Sequence, residues 1–335
     1  MKHILFCILF FGIVLSSCNM AIKKPDISKS NINVSVIRFD KDFFVLNEQN
    51  FYAELPFFQK KYPDFFTFYN EVIIKIGNPD EASYFENYKK FVQYYKENEI
   101  DTKVAGVFAD TSKLNADFTL AFKYYNFYFP DKKVPEIYTC ISGFQESVFP
   151  SDNLLAISLD KYLGSAFNAT YTSLGFDVYK QRRMIPEMIP VDCMRAMGAL
   201  DFPFNDSVNN MLCTMIYEGR LQYYMDAVLP DVADTLKWSY TASQFDWAKQ
   251  WESKIWDYLI ENKMLFSTNM LEIKSFTGEA PFTTVFSNNS APRAASYIGY
   301  QIVKSYVKNN PDINLDQLMQ ITDYMEIYNS SDYNP

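Results

Sequence analysis

A short apolar run that ends in a cysteine opens the chain and separates a leader from the part of the sequence that can fold. Twelve apolar residues, positions 4–15, follow a lysine and a histidine, and two serines precede Cys18. Twelve helical residues rise about 18 Å, less than the hydrocarbon core of about 30 Å that a spanning helix must cross. A basic start, a short apolar run and small residues before a cleavage point are typical of a secretory signal peptide. We therefore expect residues 1–17 to be removed.

The four residues Leu15-Ser16-Ser17-Cys18 resemble the bacterial lipobox, in which the cysteine is acylated on sulfur and becomes the first residue of the mature protein. Several acyl chains on one residue anchor a protein stably, whereas a single chain binds a bilayer only marginally. An ordinary cleaved signal peptide is the alternative. Residues 18–31 have no helical or strand period, so we expect a flexible tether there and a single globular domain over residues 32–335.

The residues after Cys18 bear on which membrane holds the anchor. Asn19 is not the aspartate that usually marks inner-membrane retention in proteobacterial lipoproteins. No acidic run follows Cys18 either, and in Bacteroidota such a run often marks export to the cell surface. The expected location is therefore the cell envelope, on the outer membrane with the body facing the periplasm.

The composition excludes several classes of function. The chain's one histidine, His3, lies in the expected signal peptide, so triad hydrolases and the usual catalytic zinc sites lack their imidazole. Forty acidic residues against 31 basic ones make nucleic acid an unfavourable partner. Only ten glycines occur, without a phosphate-binding loop pattern, so we expect no nucleotide. Cys140, Cys193 and Cys213 fit three buried thiols or one disulfide with one thiol, and a metal site less well.

Hydrophobic periodicity predicts a mainly helical body. The predicted helices cover residues 43–58, 113–129, 186–200, 206–229, 243–263, 296–308 and 315–328, and another begins at a capping box of Asn78 and Glu81. Residues 34–39 alternate like a first strand. Residues 135–144 and 153–159 are β-like runs that we expect to pair as an antiparallel hairpin. No repeat or Gly/Ser linker divides the body, so the predicted class is α+β, predominantly helical with a small antiparallel sheet.

Two surface features allow a binding role beside a structural one. Residues 124–129 form an aromatic block that suits sugar stacking, although in a chain with 18% aromatic residues packing is the simpler interpretation. Lys180, Arg182 and Arg183 form a basic cluster in an acidic protein. It suits lipid headgroups, an acidic partner or a solvated surface.

One carboxylate is a candidate for a cleft or a structural ion pair. Glu218 lies on an apolar predicted helix and is followed by a glycine and Arg220. Burial of such a carboxylate without a partner is costly, so we expect a cation beside it. Arg195 and Arg293 are the candidate partners, and Asp192 lies on the same predicted helix as Arg195.

Several segments together resemble the gliding-motility lipoprotein GldB family of Bacteroidota, and they occur in order along nearly the whole mature chain. The segments are Val36-Ile37-Arg38-Phe39-Asp40, Phe127-Tyr128-Phe129-Pro130, Leu159-Asp160-Lys161-Tyr162-Leu163-Gly164, Met215-Ile216-Tyr217-Glu218-Gly219-Arg220, Pro281-Phe282-Thr283 and Ile298-Gly299-Tyr300-Gln301-Ile302-Val303-Lys304-Ser305-Tyr306. The sequence departs from the family at Pro292-Arg293-Ala294-Ala295, where glycine is more usual near the arginine.

The resemblance implies an envelope lipoprotein needed for gliding motility and the associated type IX secretion machinery. It brings no enzymatic activity with it, and the partners it implies are the membrane, through the lipid, and other envelope proteins of that machinery. A carboxylate-based hydrolase acting on peptidoglycan or glycan remains an alternative, because it needs neither imidazole nor metal. A glycan-binding module is another.

The order of the predicted elements is also similar to that of gluzincin-type metallopeptidases. In those enzymes one helix carries HExxH and a later helix supplies a glutamate ligand. Here the first helix has Val191-Asp192-Cys193-Met194-Arg195-Ala196, without histidine, and Glu218 lies on the later one. A shared fold would therefore lack the metal site, and we expect no cofactor.

Overall fold

Helices make up most of the structure, a computed structural model that describes residues 24–47 and 49–335. The expected signal peptide and Cys18 lie outside the described residues. The α-helices are α1 (Phe39–Phe43), α2 (Phe51–Lys61), α3 (Pro63–Phe68), α4 (Tyr84–Glu97), α5 (Ile100–Val107), α6 (Ser112–Tyr128), α7 (Asn168–Ser173), α8 (Val178–Gln181), α9 (Ile189–Asp201), α10 (Met211–Val228), α11 (Asp234–Trp238), α12 (Ala242–Gln250), α13 (Glu252–Glu261), α14 (Met270–Thr277), α15 (Ala294–Asn309), α16 (Leu315–Gln320) and α17 (Tyr324–Asn329). The predominantly helical α+β class is confirmed.

The strands β1 (Glu136–Cys140), β2 (Val148–Pro150) and β3 (Leu154–Ser158) form one mixed sheet in the order β1-β3-β2. The predicted antiparallel pairing of residues 135–144 with 153–159 is wrong, because β1 and β3 run parallel. The antiparallel partner of β3 is β2, a three-residue strand too short to show a period of its own. Both β1 and β3 are buried along almost their whole length, as is typical of parallel strands covered on both faces.

The predicted first strand, residues 34–39, is reduced to a single bridge of Ile37 beside Tyr138 of β1. The chain then enters α1. The guanidinium of Arg38, the residue before this helix, donates two hydrogen bonds of 2.8 and 2.6 Å to the buried carboxylate of Asp40. The Thr139 hydroxyl donates to the same carboxylate at 2.5 Å. This network joins the N-terminal segment to β1.

Several helices begin at residues other than the predicted ones, because more than one side chain nearby can cap the helix. The helix predicted from residue 206 begins instead at Met211, where the Asn210 side chain accepts from the backbone N–H of Cys213 at 2.9 Å. The Asn78 box forms a turn, since Glu81 accepts from the Asn78 N–H at 3.3 Å, but α4 starts only at Tyr84. Two predicted helices, 243–263 and 315–328, are each divided in two.

The crossing of α10 and α15 forms the centre of the core. Gly219 of α10 lies against Gly299 of α15, and a Cβ placed on Gly299 would lie 1.8 Å from the carbonyl oxygen of Met215. The two backbones therefore touch, which only glycine permits at this point. The buried apolar side chains of the described residues form one connected cluster around this crossing.

Cys140, Cys193 and Cys213 are free thiols and all three are buried. Of the two possibilities left by the sequence, the structure therefore has three core thiols. Burial raises the pKa of Cys140 and of Cys193 well above the ordinary value, so neither forms the reactive thiolate readily.

We expect Cys140 and Cys193 to resist alkylation in the folded protein, because burial keeps the reagent away and the raised pKa keeps each sulfur in its weakly nucleophilic thiol form. N-ethylmaleimide at pH 8 should label neither residue within an hour, and both should react once guanidinium chloride unfolds the chain. Peptide mass spectrometry measures the labelled fraction. Rapid labelling of either cysteine without denaturant would contradict the buried position.

Candidate binding cleft

A cleft of about 520 Å³ lies between β2 and α9. One side of α9 lines it with Asp192, Arg195, Ala196 and Ala199, which are spaced three, four and seven positions along the helix and so share a face. Val148 of β2, a strand that packs against α9, also lines the cleft. The sheet and the helix therefore bring together residues that are more than forty positions apart in the sequence.

Arg183 lies at the cleft between two carboxylates. Its guanidinium donates to Asp192 at 2.6 Å and also contacts Glu279. The Tyr162 hydroxyl donates to the second oxygen of Asp192 at 2.9 Å. Burial lowers the pKa of Arg183, but the negative charges of Asp192 and Glu279 outweigh that effect and raise the pKa overall. Asp192 is thus engaged by an arginine and a tyrosine together.

Glu218 of α10 forms an ion pair with Arg195 of α9. About a fifth of each side chain remains exposed, 23% for Arg195 and 21% for Glu218. The sequence predicted that Glu218 needs a cation and offered Arg195 or Arg293; in the structure Arg195 makes the contact. A partly exposed pair of this kind contributes modestly to stability.

Arg293 is almost completely buried, yet it forms no ion pair with any residue that the structure describes. Its guanidinium donates to the backbone carbonyl of Trp238 and lies 5.9 and 6.0 Å from the ring centroids of Trp238 and Tyr240. Burial lowers its pKa, and the like charge of Arg195 adds to the effect. Arg293 itself adopts φ +54°, so the left-handed turn before α15 forms at the arginine.

Arg220 lies outside the cleft although Glu218 is only two positions away. Residues i and i+2 of a helix do not face each other, so the spacing itself separates the two side chains. Arg220 is buried and donates to the backbone carbonyls of Leu318 at 3.1 Å, Met319 at 3.2 Å and Ile321. Of the candidate residues, the structure therefore brings Asp192, Arg195 and Glu218 to the cleft region and assigns Arg220 to the C-terminal segment.

Lys161 also lines the cleft, and the sequence did not single it out as a site residue. Its ammonium lies 4.4 Å from the ring centroid of Phe176 and forms no ion pair within residues 24–47 and 49–335. Burial lowers its pKa. The only available signal was its place in the segment 159–164, which follows a predicted strand.

The residues of the basic cluster lie in different places, and so do those of the aromatic block. Lys180 and Arg183 line the cleft, whereas Arg182 is exposed elsewhere. In the aromatic block Tyr125 and Phe129 are buried and Phe127 is 52% exposed. Most of the block therefore serves packing.

No group of three metal-binding side chains is found in the part of the chain that the structure describes. Within the same residues no helix is both long and apolar enough to cross a membrane.

The chain matches no curated protein and no solved structure, so the likeness to gluzincins stays a prediction.

A family model described as "Gliding motility protein GldB" matches residues 21–335, which is nearly the whole chain. The match covers β1 to β3, both crossing helices and the cleft described above. It confirms the resemblance drawn from the ordered sequence segments. The family consists of gliding-motility lipoproteins of the cell envelope and is not a known enzyme family. The chain therefore belongs to the GldB family of gliding-motility proteins.

Proposed function

We propose that the protein is a non-catalytic scaffold or adaptor of the gliding-motility and type IX secretion apparatus, and that it acts through protein contacts. Acyl groups on Cys18 would anchor it to the outer membrane, with the folded body in the periplasm. The family match and the lipobox support the envelope location. The expected partners are other envelope proteins of that apparatus.

The pairing of two carboxylates, Asp192 and Glu218, carries the non-catalytic part of the proposal. A general acid or base must be free to exchange a proton with a substrate within hydrogen-bonding distance. Glu218 is engaged by Arg195, and Asp192 by Arg183 and Tyr162. These carboxylates already have protein partners, as expected of a structural or binding surface.

We expect Glu218→Gln to keep gliding and secretion close to the wild-type level. The change removes the charge of a partly exposed pair, which costs about 0.5–1 kcal/mol and lowers the thermal midpoint by only about 1–3 °C. The measurement is colony spreading and secreted protein in a deletion strain that carries the variant. Arg195→Met is the matched control, since it breaks the same pair from the other side.

The opposite pattern would identify an enzyme. If Glu218→Gln abolishes spreading and secretion while the thermal midpoint stays unchanged, the carboxylate acts chemically, as in a hydrolase acting on peptidoglycan. A deletion strain that spreads and secretes normally would overturn the proposed role altogether.

The partner and the anchor need a separate experiment. The tagged, lipidated protein would be purified from envelopes, and co-purifying proteins identified by mass spectrometry. Other components of the motility apparatus should co-purify with the wild type and be lost with Cys18→Ala. A Cys18→Ala protein that still sediments with membranes would contradict the anchor.

A further inference from the structure

A second, smaller pocket of about 250 Å³ lies where the end of α10 and the start of α11 meet α6. Its lining is mostly apolar and includes Leu120 of α6, Val228 of α10 and Leu236 of α11. A cavity of about 150 Å³ holds a benzene molecule, whereas sites for drug-sized ligands usually measure at least about 300 Å³. The pocket therefore suits one or two aliphatic side chains better than a separate ligand.

The charged residues that line this pocket are mostly acidic. They are Lys113, Asp117, Glu187 and Asp231. Lys113 is paired with Asp117 at 2.5 Å, one helical turn away on α6. The negative charges of Glu187 and Asp231 remain in excess, so the pocket favours a segment that carries basic residues next to apolar ones.

The N-terminal segment of the chain leads to this pocket. The N–H of Val34 donates to the Thr119 hydroxyl of α6 at 2.9 Å. Lys24, at the start of the described residues, forms an ion pair with Asp231. Both side chains of the pair are about half exposed, 51% and 50%, so the pair shows where the segment runs more than it adds to stability. The chain thus arrives beside the pocket at Lys24.

The residues before Lys24 match the lining of the pocket. Residues 20–22 are Met, Ala and Ile, and two lysines follow them. An extended chain advances about 3.3–3.6 Å per residue, so the backbone of Ile22 lies within about 7 Å of that of Lys24. The Ile22 side chain can therefore reach the apolar lining while the lysines stay at its acidic border.

We propose that the side chain of Ile22 occupies the pocket beside Asp231 and docks the N-terminal segment onto α6, α10 and α11. The free tether then consists of residues 18–21, which span at most about 14 Å. With the proposed anchor at Cys18, the face of the body that carries the pocket lies next to the bilayer. The docking itself depends neither on the anchor nor on the adaptor function.

Limited trypsin digestion tests the docking, because trypsin cleaves after lysine and Lys23 is the neighbour of Ile22. The mature protein is digested in detergent, and mass spectrometry follows the release of the fragment that ends at Lys23. Ile22→Ser should raise this cleavage rate at least about tenfold, since the rate follows the population of the undocked segment and serine gains little from the apolar pocket. Ile22→Leu keeps an aliphatic side chain and should be cleaved like the wild type.

Leu120→Gln tests the pocket without changing the segment that trypsin cuts. It makes one wall polar and should raise the cleavage rate after Lys23 at least about threefold. Leu174→Gln is the matched control, since Leu174 is 41% exposed, Leu120 is 38% exposed, and only Leu120 lines the pocket. Thermal midpoints check that both glutamine variants fold, and the Ile22 variants decide the question if Leu120→Gln does not.

Two results would overturn the inference. One is cleavage of Ile22→Ser at the wild-type rate, which would show that Ile22 is not held. The other is equal cleavage of folded Leu120→Gln and Leu174→Gln, which would show that the segment does not use this pocket. Neither result depends on colony spreading or secretion, so a failure here is distinguishable from a failure of the motility role.

Discussion

Gly299→Ala should lower the free energy of unfolding by about 3 kcal/mol or more, at the upper end of the usual cost of overpacking. The added Cβ would lie 1.8 Å from the carbonyl oxygen of Met215, a distance that no contact tolerates. The obstacle is backbone, so no side-chain rotation can relieve it. The two central helices must separate, and their shared core must open with them.

The matched control is Gly106→Ala, on the exposed side of α5. A Cβ there has no atom within 4 Å, and alanine is a better helix former than glycine. This change should raise the free energy of unfolding by about 0.5–1 kcal/mol. Urea denaturation followed by circular dichroism measures both variants. Similar stabilities for the two would show that α10 and α15 are not in backbone contact.

Arg220→Met should cost about 3 kcal/mol or more, because three backbone carbonyls lose their donor and a buried acceptor left unsatisfied costs about 1–3 kcal/mol. The guanidinium donates to the carbonyls of Leu318, Met319 and Ile321 at the end of α16. It also lies 5.0 Å from the ring centroid of Tyr324, a cation–π contact that methionine cannot replace. Burial lowers the pKa of Arg220, yet these acceptors still hold its charge inside the protein.

The loss of stability in Arg220→Met should appear first in the helices that Arg220 contacts and only then in the whole protein. Hydrogen exchange should increase first in α16 and α17, since Arg220 joins both helices to α10. Arg220→Lys should recover little of the lost stability, because an ammonium cannot reproduce the planar arrangement of N–H donors in the guanidinium. Lys308→Met, at an exposed position of α15, is the control and should change stability by less than about 0.5 kcal/mol. Unchanged exchange in α16 and α17 would contradict the role of Arg220 in holding these helices to α10.

The candidate site was predictable only in part. The need of Glu218 for a cation follows from its apolar helix, and the shared face of Asp192 and Arg195 follows from their spacing. The sequence does not show that Arg195 rather than Arg293 is the partner of Glu218, because this depends on how α9 and α10 pack. Lys161 was missed for the same reason: its position in the cleft arises from the turn after β3 and from the packing of Phe176.

By itself the sequence determined the family, the predominantly helical class and the position of long helices such as α6, predicted over residues 113–129 and found over Ser112–Tyr128. These depend on local periodicity and on motifs read in order along the chain. Only the tertiary structure decided the parallel pairing of β1 with β3, the backbone contact at Gly219 and Gly299, and the cleft beside β2. Each of these joins segments distant in sequence, where packing and non-local hydrogen bonds outweigh local preference.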